Sequence, residues 1–306
     1  MPHSLNYAEK YTGKIFEIIN QGLLTAPFLT TNVEWVGAKD FHFTQQSVSG
    51  YKAHGRNGGW NKGTITETDK VYTVAHDRDI SFLVDKADVD ETARTAAIEN
   101  ISNTFVETQQ IPEMDCYAFS KIATVAHENS LTEVITRASL TPENVFQTLV
   151  KTMSKAKLKY YRQRGSLVGY VRSEIMDLLA LDKNFKATIK TDTIVDGPRA
   201  IETRVTTING VPLFEVIDDE RFNTSFDFTE GAVADGSQIN ILFASVEKVK
   251  TVPKISSIYY FNAGQHTEGD GDLYQNRSLM DTFVFPNGKD GKIDSVYVVL
   301  ESAISS

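Results

Sequence analysis

Few side chains in this chain of 306 residues are spaced for chemistry. Cys116 is its single cysteine, which excludes an internal disulfide and a cysteine-rich metal site. It shares the apolar side of a predicted helix with Phe119, Ile122 and Ala123, where a free cysteine behaves as a small hydrophobe. The histidines stand at His3, His42, His54, His76, His127 and His266, with no pair at ligand spacing on one helix face. No Gly-x-Ser-x-Gly elbow presents a serine nucleophile.

The remaining candidates are clusters of charge. Asp77, Asp79, Asp85, Asp88, Asp90 and Glu91 are balanced locally only by Arg78 and Lys86. A hard cation favours such oxygens, but these run along strands into a helix start and do not converge. Helix capping and salt bridges to another chain are the better reading. Asp270 and Asp272, in EGDGDLY, lack the further ligands of a calcium loop and read as a solvated loop. Lys151, Lys155, Lys157, Lys159, Arg162 and Arg164 have no acid between them. With Tyr160 and Tyr161 nearby they suggest a nucleic-acid contact. A helix end facing acids of the same or a neighbouring chain explains them better. Gly55, Gly58, Gly59 and Gly63 do not form a phosphate loop, because Lys62 precedes the last glycine and no apolar strand leads in.

Composition bounds the class. A hydrophobic fraction of 41% and a charged fraction of 23% are ordinary for a globular chain. The net charge of −9 argues against a dedicated nucleic-acid grip. MPHSLNYAEKYTGK does not read as a signal peptide, and no run of about 18 apolar residues predicts a membrane span. One cysteine suits a reducing cytoplasm.

The elements that would position these residues follow in order. Residues 1–45 hold a short amphipathic piece, then Val33, Trp35, Phe41 and Phe43, too few for a core of their own. They predict a segment packed on the rest of the chain or on a neighbour. Residues 47–70 read as a long glycine-tipped hairpin projecting into solvent or onto a partner. Val71–Asp85 alternates as a strand pair. Asp88 and Glu91 then cap a helix with Ala93, Ala97, Ile101 and Phe105 as its stripe. Pro112 is predicted to end that helix and to open a second one. Thr141-Pro142-Glu143 starts a third, and Ser173 caps a fourth. Asn209-Gly210 predicts a type I′ hairpin within 199–217. Residues 239–243, 257–261 and 294–300 read as strands, with a long loop over GQHTEGDGDLYQN. Helices and strands do not alternate regularly, so the class is α+β and not a doubly wound sheet.

The order of these motifs resembles the major capsid proteins of tailed bacteriophages, the Hong Kong 97-type fold. HDRDISFLVD leading through DVDETA into a long helix resembles that family's spine helix. PEMDCYAFSKIA resembles the entry to its axial domain, INGVPLFEVIDDERF the axial hairpin, and INILFASVEKVKTV the strand leading back. The resemblance implies an N-terminal arm over 1–45 and an extended loop over 46–86. It implies a peripheral domain with the spine helix over 87–130, an axial domain over 131–248, and a return to the peripheral domain over 249–306. The implied partner is the chain itself, in hexamers and pentamers around double-stranded DNA, with a separate scaffolding protein, a portal and decoration proteins. No catalytic residue, metal or cofactor is expected. Inter-subunit contacts are expected at Trp35, Gly50, Lys52, Arg56, Gly58, Gly59, Trp60, Lys62, Asp77, Arg78, Asp79, Asp88 and Glu91. Lys52, Lys62, Asn276 and Asn287 do not align with the Lys–Asn crosslink of some members, so no crosslink is expected. Two rivals stand beside this reading: an encapsulin-like cargo compartment, and a soluble α+β enzyme with a deep polar pocket.

Overall fold

The computed structural model describes residues 18–31, 33–54, 60–85, 102–195, 197, 201–288 and 291–304. In chain order come β1 (Asp40–Val48), β2 (Ile65–Thr73), β3 (His76–Asp85), α1 (Ile111–Glu128), β4 (Thr132–Val134), α2 (Val145–Thr152) and α3 (Leu158–Gln163). Then come β5 (Leu167–Arg172), α4 (Ser173–Leu181), β6 (Lys190–Thr193), β7 (Glu202–Ile208), β8 (Val211–Val216), β9 (Phe226–Asp227) and β10 (Val233–Ala234). The chain closes with β11 (Ile239–Ser245), β12 (Val249–Phe261), β13 (Gly271–Val284) and β14 (Val296–Leu300).

A mixed seven-stranded sheet in the order β4-β14-β11-β5-β8-β7-β6 forms the body. Its central strands are covered on both faces, so they read as continuous apolar runs. In β14, Val296, Val298 and Leu300 join one core while Tyr297 and Val299 join the other. The first core is closed by α1, through Phe119, Ile122, Ala123 and Ala126, which share one stripe. The second is closed by α2, α3 and α4, including Leu149, Tyr161, Ile175 and Leu179. Asn209 (φ 53°) and Gly210 (φ 81°) turn β7 into β8 with both residues left-handed, as the type I′ turn requires.

Beside this body lies an antiparallel three-stranded sheet, β12-β13-β3. The β1–β2 hairpin forms a two-stranded sheet of its own.

The structure corrects four expectations. Pro112 does not separate two helices: the helical path is unbroken from residue 102 to 128. Proline lacks the N–H that would bond the carbonyl four residues back, and its ring crowds that carbonyl. The turn just ahead of it, Val106–Gln110, is wound as a π-helix, and this wider winding opens the ladder where the proline needs room. The strands within Val71–Asp85 do not pair with each other, since β2 pairs with β1 and β3 with β13. The expected loop over 264–276 is shorter than read: its last six residues, from Gly271, begin β13, the longest strand described. Strand β14 sits between β4 and β11 in the large sheet. The Ser173 hydroxyl also makes no cap; it donates to Glu215 Oε1 at 2.7 Å.

Candidate functional site

The feature least explained by the needs of one chain is the β1–β2 hairpin. Nine residue pairs run from Asp40↔Thr73 at its root to Val48↔Ile65 at its far end, a length of about 30 Å. An isolated two-stranded ribbon is marginal in water. Its tip leaves Val48 (71%), Tyr51 (110%), Trp60 (95%) and Ile65 (75%) exposed. The tip is tied by its own backbone: Lys52 Nζ donates to Lys62 O at 3.1 Å, Asn61 Nδ2 to Ala53 O at 2.8 Å, and Thr64 N to Ser49 Oγ at 2.9 Å. These bonds shape the tip without covering its rings.

The root is built much more firmly. Phe43 stacks on Phe285 with ring centres 3.9 Å apart, and Phe41 meets Phe283 edge-on at 5.2 Å. Trp35 packs edge-on against Phe41 at 5.6 Å, and Lys254 Nζ lies 3.7 Å over the Trp35 ring. Val74, between β2 and β3, is fully buried in this cluster.

Charge pins the same root. Asp77 accepts from Arg277 Nη2 at 2.8 Å and from Lys39 Nζ at 3.1 Å. Hydrogen bonds from Arg277 and then Lys39 hold its carboxyl far below the usual carboxylate range. Asp281 Oδ2 accepts from Ala75 N at 3.1 Å, and Asp281 Oδ1 from Tyr117 OH at 2.9 Å. Glu113 Oε1, in the first turn of α1, accepts from Arg78 Nε at 2.7 Å and lies 3.1 Å from His76 Nε2. Burial would raise Glu113, but hydrogen bonds from His76 and Arg78 outweigh it, and its pKa lies below the usual value.

The segment leading to the hairpin is anchored by α1. Asp115, completely buried, accepts from Leu24 N at 3.1 Å and from both Thr25 N and Thr25 Oγ1, at 2.9 Å and 2.7 Å. Burial raises its pKa to about 6 in spite of these donors. Cys116 beside it is buried, and burial pushes its thiol up to about 12, so it is a poor nucleophile.

Of the residues expected at subunit contacts, Trp35, Asp77 and Arg78 make the own-chain contacts just given. Trp60 stands exposed at the tip, with Gly50, Lys52 and Lys62, and Asp79 is exposed on β3. Arg56, Gly58, Gly59, Asp88 and Glu91 lie outside the described residues, as do Ala93, Ala97 and Ile101. The basic run meets acids of its own chain: Lys155 reaches Glu133 (3.3 Å), Lys157 reaches Asp294 (2.7 Å) and Arg164 reaches Glu247 (3.0 Å). Sequence reasoning missed Asp115, Glu113, Arg277 and Asp281. A buried acid inside an apolar helix stripe, as Asp115 is, was the one local signal available. Among the described residues no group of three or more His, Cys, Asp or Glu side chains is placed to hold a metal ion. No helix there is long and apolar enough to cross a membrane.

A sheet-and-helix body, a smaller sheet beside a long helix, and a bare hairpin thrown out from their junction define the Hong Kong 97-type capsid fold. Solved structures carry the same architecture over nearly the whole chain. A structure of Mycobacterium phage Cain superimposes with a TM-score of 0.60 at 11% identity, covering 91% of this chain and 90% of the other. The capsid of cyanophage P-SCSP1u gives 0.57 at 10% identity, covering 92% and 88%. A virus-like particle from Pyrococcus furiosus gives 0.52 at 9% identity, covering 96% and 99%. No protein family and no curated protein matches the sequence. At these identities the likeness is one of fold.

Proposed function

We propose that this chain is the major capsid protein of a tailed bacteriophage. On this reading it assembles into hexamers and pentamers of an icosahedral shell around double-stranded DNA. The observation that carries the reading is the hairpin: about 30 Å of ribbon with Tyr51 and Trp60 bare at its tip, on a root held by aromatic packing and ion pairs. A monomer gains nothing from such a projection, whereas a neighbour would bury it. Many modest contacts repeated by symmetry then stabilise a closed shell through mass action. The fold shared with the cyanophage capsid supports the same reading.

The finer parts of the proposal are assembly in the host bacterial cytoplasm, a separate scaffolding protein, a portal and decoration proteins. A net charge of −9 fits a wall that encloses DNA without gripping it. The test is the particle formed by the purified protein, measured by light scattering and electron microscopy. Closed shells, or rings of five or six copies, are expected. A persistent monomer or dimer at high concentration, with or without scaffold, overturns the proposal.

A second reading has one observation in its favour. The Pyrococcus virus-like particle is matched over 99% of its length, so an encapsulin-like compartment fits the chain end to end. Finding a cargo enzyme, and no DNA, inside purified particles would favour it.

A further inference from the structure

We draw no further inference here: the strongest candidate, the basic surface patch on α2 and α3 at the exposed Lys151 and Lys159, carries nothing because nothing in the structure shows what covers it.

Discussion

The Thr25 hydroxyl donates to Asp115 Oδ1 at 2.7 Å, across 90 residues of chain and in complete burial. With Thr25 N and Leu24 N on the same carboxylate, this one side chain fixes where the N-terminal segment crosses α1. The segment then runs to Trp35 and the hairpin root, so Asp115 also sets where the hairpin begins.

Removing that carboxylate strands three donors. D115A is expected to lower stability by about 3 kcal/mol, since each unsatisfied buried donor costs on the order of 1 kcal/mol or more. D115N keeps an acceptor and is expected to lose less. Burial raises the Asp115 pKa to about 6, so the folded chain holds a proton more tightly than the unfolded chain. Ionised Asp115 therefore opposes folding at neutral pH. This cost is relieved as pH falls through about 6, with full relief below the ordinary aspartate value. Measured by chemical denaturation, wild type is expected to gain on D115N between pH 7 and pH 5. A difference that does not change with pH would contradict the raised pKa.

Glu113 has the opposite sign. Its pKa is held below the ordinary value, so its contribution is present above the ordinary glutamate range and is lost as pH falls through the folded value. E113Q is expected to cost about 2 kcal/mol at pH 7, as hydrogen bonds to a charged partner do. The gap between wild type and E113Q is then expected to close on acidification. Thermal melts of both proteins across pH 7 to 3 would check this, and a gap that widens toward acid would refute it.

The body of the fold was legible where neighbours in sequence decide the structure. Asn209-Gly210 forces its turn whatever surrounds it, and β11 announces a strand covered on both faces through Ile241, Leu242 and Phe243. What sequence hid depends on distant partners. The strand β13 carries Gln275, Asn276, Arg277 and Asp281, which break its apolar pattern. Three of these are satisfied by chain far away: Asn276 by Gln110, Arg277 by Asp77, Asp281 by Ala75 and Tyr117. Likewise nothing local says that β3 leaves β2 to pair with β13. Of the candidate site, the glycine density and Trp60 were visible. The root that aims the hairpin was not, because Lys39, Asp77 and Arg277 meet only in the folded chain.

The hairpin tip and the body are expected to separate cleanly under mutation. Replacing residues 50–63 by a two-residue turn removes Tyr51 and Trp60, neither of which is covered by the chain itself. The monomer melting temperature is expected to stay within about 2 °C, since loop changes without buried contacts cost little. Assembly is expected to be lost. Shells formed by the shortened chain would show that the tip has no part in assembly.

The centre of the large sheet offers the opposite case, where a single added methyl is felt. Gly169 lies in β5 between β11 and β8, and a Cβ there would stand 2.4 Å from Leu213 Cδ2 and 2.6 Å from Phe243 Cε1. Both neighbours are fully buried, so neither has open space to move into. Glycine also weakens a strand interior, and its presence here marks a close approach of side chains across the sheet. G169A therefore gains some strand propensity but must push Leu213 and Phe243 off their positions, which costs about 2 kcal/mol net. Urea denaturation is expected to show a lower midpoint with an unchanged slope. L213A in the same chain makes room for the methyl, so the double variant is expected to fall short of the sum of the two single losses. Strict additivity would mean that Gly169 is not packed against Leu213.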